Sequence, residues 1–177
     1  MNDFLELCKV RQSCRNFADK PLEHEKVVKC IEAGRLAPSG CNAQPWSFVA
    51  VETPELAAQV AQACCQMGAN AYAAGAKAFI VVLEERATLM PRISSIMDSQ
   101  YFAKNDMGAA AVSICYAAAD LGIGSLIIGL FDREKLAEIL DIPYDKRFGC
   151  VIALGYQADE TIRPKQRKPL EEAARFV

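Results

Sequence analysis

In 177 residues the chain has one histidine, one tryptophan, no excess of either charge and no C-x-x-C pair among its eight cysteines. Each shortage excludes something. A single imidazole, His24, leaves no Cys/His zinc set to draw, and cysteines at 8, 14, 30, 41, 64, 65, 115 and 150 fit neither a zinc ribbon nor a thioredoxin-type motif. Twenty Lys and Arg against 22 Asp and Glu give a formal charge of −2, so no global field attracts a polyanion and nucleic acid is not an expected partner. Uninterrupted apolar runs are missing as well. The richest stretch, 107 to 131, is broken by Asp120 and by glycines at 122, 124 and 129, which does not make a membrane span. The first ten residues carry Asp3 and Glu6 and no basic region leading into an apolar one, so they do not read as a signal peptide. A cytoplasmic protein without a membrane partner is expected. In a reducing compartment its thiols stay free; Cys30, Cys64, Cys115 and Cys150 lie in apolar periodic segments and read as small core residues, whereas Cys41 lies in a polar loop. Nucleotide fingerprints are absent too: Gly122-x-Gly124 follows a helix instead of a strand and lacks the third glycine, and no G-x-x-x-x-G-K-[ST] occurs.

What is present describes a globular chain. Hydrophobic residues make up 52% and charged residues 24%, enough to bury a core, and the length suits one domain spanning 1–177. Phe4 to Val10 has helical spacing. Pro21 opens a second helix whose apolar face is Val27, Val28, Ile31, Ala33 and Leu36, ending before Pro38. Ser47 to Val51 reads as a strand, Thr53-Pro54-Glu55 starts a helix through Leu56 to Met67, and the nearly all-apolar Ala78 to Leu83 reads as a strand buried on both faces. Asn105 or Asp106 can cap a long alanine-rich central helix that stops at Gly122. Ser125 to Gly129 and Cys150 to Leu154 supply two more strands, with a helix capped by Asp132 between them. Beyond Gln157 periodicity fades into a basic arm that ends on Phe176 and Val177. Interleaved helices and about four short strands argue a mixed domain with a helix-rich envelope.

Three segments carry chemistry. In Arg11-Gln12-Ser13-Cys14-Arg15, alternate residues of an extended stretch point one way, so Arg11, Ser13 and Arg15 can converge on one anion. In Pro38-Ser39-Gly40-Cys41-Asn42-Ala43-Gln44-Pro45-Trp46, two prolines and the single Trp hold Ser, Asn and Gln side chains in place, which suits a planar hydrogen-bonding ligand. Lys165-Gln166-Arg167-Lys168 is a second alternating cationic set, and one phosphate could collect both sets because chain ends commonly lie near each other.

Taken together, the R-x-S-x-R opening, the P-S-x-x-N-x-Q-P-W loop, Ile127-Ile128-Gly129 after an alanine-rich helix, Gly155-Tyr156 and the late K-x-R resemble the FMN-dependent nitroreductase family over essentially the whole chain. The resemblance implies an α+β, three-layer fold: a central mixed sheet of about four to five short strands surrounded by helices, with the C-terminal arm exchanged in a homodimer that holds an FMN at each end of its interface. It implies that Arg11, Gln12, Ser13 and Arg15, with Lys165 and Arg167, hold the FMN phosphate, ribityl chain and pyrimidine edge. Pro38, Ser39, Gly40 and Asn42 resemble the loop that reaches the flavin from the other subunit, and Ile128 and Gly129 the segment whose backbone N–H meets flavin N5. Asn70 is a candidate for a further ribityl contact. Gly40 and Cys41 depart from the family pattern, standing where small hydroxyl residues are common.

The function so implied is an oxidoreductase: NAD(P)H binds transiently, passes hydride to FMN, and a nitroaromatic, quinone or similar acceptor follows by a ping-pong mechanism. No side chain is expected to act as nucleophile or base, and no metal is expected. Two alternatives stay open: a same-fold flavin enzyme of dehalogenase or flavin-cleaving type, for which Glu85 to Gln100 is the only stretch able to form a lid, and a non-enzymatic FMN carrier or sensor.

Overall fold

Strand β2 (Ala78–Glu84) is buried through six successive residues, so both its faces must be covered. The computed structural model, which describes residues 3–66 and 68–177, covers them with two helical layers. The sheet order is β1 (Trp46–Val51), β2, β4 (Arg147–Gly155), β3 (Gly124–Ile128). On one face Phe79, Val81, Leu126, Ile128, Val151 and Ala153 pack with α3 (Pro54–Cys64) and α6 (Arg133–Ile139). On the other, Ile80, Val82, Ile152 and Leu154 pack with α2 (His24–Arg35) and α5 (Ala103–Asp120). The three-layer α+β architecture is thus the expected one.

The sheet has four strands, and every neighbouring pair is antiparallel. The expected mixed sheet is therefore antiparallel throughout its strands; the one parallel pairing among the described residues is an isolated bridge, Ser13 to Ser125, outside them. The antiparallel sense arises because α3 and the short turn Ala71–Gly75 run out and back, returning the chain where it left the sheet: Val51 faces Phe79.

Helix positions follow the sequence with local differences. The N-terminal helix α1 spans Phe4–Val10, with Asp3 Oδ1 accepting from the Leu5 N–H. In α2 the buried residues are Val27, Cys30 and Gly34, while Val28 and Leu36, assigned to the apolar face, are exposed, Leu36 at 71%. Gly34 explains the rotation: a Cβ there would lie 2.8 Å from Ile114 Cγ1, so α2 and α5 approach too closely for any other residue to lead the contact. Helix α3 stops at Cys64, and Met67 lies outside the described residues. The α5 helix starts at Ala103, ahead of Asn105 and Asp106, because the Asp106 carboxylate is engaged elsewhere, accepting the Gly40 N–H at 3.1 Å. Gly122 (φ +71°) ends it and Asp132 caps α6, both as the sequence requires. Short α4 (Pro91–Ser94) and α7 (Leu170–Ala173) complete the chain. Among the described residues no helix is long and apolar enough to cross a membrane. Burial pushes the thiols of Cys30, Cys64 and Cys150 up to about 12 and raises that of Cys115, which keeps them protonated and inert.

Candidate functional site

Two glycines build the site's floor. Gly124 and Gly155 face each other in the β3–β4 register, and both must lack a side chain. A Cβ on Gly124 would lie 2.8 Å from Cys14 Cβ, and one on Gly155 would lie 2.9 Å from Phe17 Cδ1. The segment 11–17 therefore presses onto the end of the sheet at those two points, with Cys14 and Phe17 buried. Backbone bonds Cys14 N to Ser125 O (2.9 Å) and Ala18 N to Tyr156 O (2.8 Å) fix it. With Cys14 inward, alternation turns Arg11, Ser13 and Arg15 toward one cleft. Tyr156 secures the neighbouring corner: its hydroxyl bonds the Glu23 carboxylate at 2.9 Å and accepts from Lys26 Nζ at 2.7 Å.

The C-terminal arm returns along this segment. Ala158 N donates to Asn16 O at 3.0 Å, Gln12 Nε2 donates to Thr161 O at 2.8 Å, Arg163 Nε donates to Gln12 Oε1 at 3.0 Å, and Lys165 Nζ donates to Arg11 O. Both cationic sets thereby line one cleft of about 330 Å³, walled by Arg11, Ser13 and Arg15 on one side and Arg163, Lys165 and Arg167 on the other.

The electrostatics of that cleft are uncompensated. Among the described residues no carboxylate lies within ion-pair distance of Arg11, Arg15, Lys165 or Arg167. Desolvation, and then the charges of Arg11 and Arg167, hold the Lys165 ammonium below its ordinary pKa. Arg11 Nε is buried with no hydrogen-bond partner among the described residues. Its guanidinium lies 5.8 Å from the Tyr116 ring centroid, so a ring and not an acid supports it. Crowded cations repel, and that penalty falls when a multiply charged anion enters the cleft.

The twelve residues read from sequence separate into three places. Arg11, Gln12, Ser13, Arg15, Lys165 and Arg167 meet in the cleft, although the Gln12 side chain clips the arm down and offers little to a ligand. Pro38, Ser39, Gly40 and Asn42 do not join them: that loop packs against the start of α5, with Gly40 over Phe102 and on Asp106, and Ser39 Oγ accepting from Gln44 N at 3.0 Å. Cys41, Asn42 and Gln44 there all have positive φ. Ile128 and Gly129 end β3; Ile128 is buried, and a Cβ on Gly129 would meet nothing within 4 Å, so a flat ligand could reach the backbone. Sequence reasoning passed over Arg163, which clamps Gln12 and the Ser13 carbonyl, and Tyr72, whose ring lies 5.7 Å from Arg15 Cζ. Position in the basic arm marked the first; nothing local marked the second. His24 is exposed and pairs with Glu52 at 2.9 Å, outside the cleft.

Comparisons with known proteins show the family and the fold. The family model described as Nitroreductase family matches residues 8–156. A protein of Archaeoglobus fulgidus assigned as an NADH dehydrogenase/NAD(P)H nitroreductase is 34% identical over 166 residues, covering 90% of this chain and 88% of that one. The FMN reductase [NAD(P)H] of Bacillus subtilis is 25% identical over 183 residues, covering 97% of this chain and 72% of that one. The crystal structure of a nitroreductase family protein from Streptococcus pneumoniae TIGR4 superposes with a TM-score of 0.85 at 27% identity, covering 99% of this chain and 100% of that one.

Proposed function

This chain belongs to the nitroreductase family, and from that premise we propose that it is an NAD(P)H-dependent oxidoreductase that holds FMN. The observation that carries the cofactor is the cleft of unpaired cations around the orphaned Arg11 Nε. Its donor set fits a phosphate monoester dianion: planar guanidinium groups from Arg11, Arg15 and Arg167, a point charge from Lys165 and a hydroxyl from Ser13. FMN, when bound, supplies at N5 the acceptor for hydride from NAD(P)H and the donor of electrons to a nitroaromatic, quinone or similar acceptor, in ping-pong order.

This chain's own residues bind and orient. Arg11 and Lys165 anchor the phosphate at the buried end of the cleft, and Arg15 and Arg167 close it from opposite walls. Gln12 and Arg163 keep the arm, and with it Lys165 and Arg167, in place. The exposed backbone of Gly129 lets the ring approach the end of β3. The loop Pro38 to Asn42, which lies apart from its own chain's cleft, serves the flavin of a second subunit in a homodimer. No side chain here is assigned as nucleophile or general base.

Purification tests the cofactor. The protein should be yellow and release FMN, not FAD, on denaturation. A colourless protein that cannot be reconstituted with FMN would overturn the reading.

A further inference from the structure

Asn70 stands in the left-handed region (φ +59°) just ahead of the turn Ala71–Gly75, and both N–H donors of its side chain are used inside the chain. Nδ2 donates to two carbonyls, Leu130 O at 3.1 Å and Cys64 O at 3.2 Å, and Oδ1 accepts from the Tyr72 hydroxyl at 3.3 Å. Leu130 is the residue after Gly129. Tyr72 in turn carries Arg15 over its ring, at 5.7 Å. A second bond, Asp132 N to Ala63 O at 2.8 Å, grips the same connection two residues further along, so the β3–α6 link is held to the end of α3 at both Leu130 and Asp132. One amide therefore joins the wall of the anion cleft to the backbone at the end of β3.

We infer that Asn70 and Tyr72 are positioning residues that hold Arg15 and the Gly129–Leu130 backbone in one frame, fixing the distance between the site's phosphate end and its ring end. The inference rests on the FMN reading given above and departs from a direct ribityl contact by Asn70, whose two N–H donors are already used. The two residues act on different ends. Losing the Asn70 amide frees the Leu130 carbonyl and lets Gly129 shift under the ring. Losing the Tyr72 ring frees Arg15, at the phosphate, and leaves in place the two Asn70 N–H bonds that hold Leu130 and Cys64.

Asn70→Gly and Tyr72→Leu separate these effects, because glycine keeps the left-handed backbone without strain while deleting all three hydrogen bonds. Kd values for FMN and riboflavin, the midpoint potential of bound FMN and the thermal midpoint of the apoprotein would be measured for each. Asn70→Gly should weaken riboflavin by about tenfold and FMN by at least as much, and move the midpoint potential. Tyr72→Leu should weaken FMN and leave riboflavin unchanged. Should Tyr72→Leu fold poorly, as a lowered apoprotein midpoint would reveal, Tyr72→Phe keeps the ring under Arg15 and should restore FMN affinity. Wild-type riboflavin affinity and an unmoved potential in Asn70→Gly, in a protein whose wild type binds FMN, overturn the positioning role alone. A wild type that binds neither flavin overturns this inference together with the cofactor assignment.

Discussion

Arg11→Ala should lower FMN affinity by roughly ten- to a hundredfold and leave riboflavin affinity where it is. The magnitude follows from the worth of a hydrogen bond to a charged group, about 1.5 to 3 kcal/mol. Arg11 should sit toward the upper end, because its guanidinium rests on the Tyr116 ring with no acid to neutralise it. Alanine also removes a like charge that holds the Lys165 ammonium below its ordinary pKa, so the loss belongs to the ligand and little of it to the fold. Arg167→Ala should act the same way and less strongly, since Arg167 is exposed and donates to the Gln166 carbonyl at 2.7 Å. Riboflavin has no phosphate, which makes it the control. Equal losses for FMN and riboflavin would place Arg11 against the ring or in the fold and would refute the phosphate assignment.

The second large effect concerns the arm. Up to Lys165 it is tied to residues 11–16, but beyond Pro169 no comparable contact forms among the described residues: Leu170 is exposed, and Phe176 is 83% exposed. Apolar side chains in that state favour a surface that covers them. Val28 and Leu36 on α2 and Val112 on α5 are exposed apolar residues of the helical layer that a second subunit can cover. Deleting Leu170 to Val177 should therefore weaken the proposed homodimer and lower flavin content together, because association and cofactor binding are linked if a second subunit's Pro38–Asn42 loop completes the site. Sedimentation and flavin absorbance on the same sample check this. A truncated protein that is monomeric and still carries a full complement of FMN would show that each subunit builds its site alone.

Much of this was legible in the residues because it is local. The strand at Ala78 and the cap at Asp132 are set by hydrophobic spacing and by one side chain's reach, and the structure keeps both. The cationic cleft was legible for a related reason: alternation in an extended segment orients Arg11, Ser13 and Arg15 without any knowledge of the rest of the chain. What escaped depends on distant partners. The buried face of α2 is chosen by Gly34 against Ile114, and a glycine carries no hydrophobic signal. The start of α5 moved because Asp106 answers the Gly40 amide, 66 positions away. Gln12 resembles a ligand contact in sequence and is a clasp for the arm in space. Asn70 reaching the Leu130 carbonyl leaves no trace in either local pattern.

Whether hydride from a nicotinamide reaches FMN held in this cleft is decided by anaerobic reduction. NADH and then NADPH would be added, without oxygen, to the FMN-loaded protein while its visible flavin absorbance is followed, and a nitroaromatic or quinone would be added afterwards. At least one nucleotide should bleach the flavin rapidly, and the colour should return when the acceptor is added. Flavin that stays oxidised with both nucleotides would contradict the reductase reading and leave an FMN-binding protein that is not a reductase.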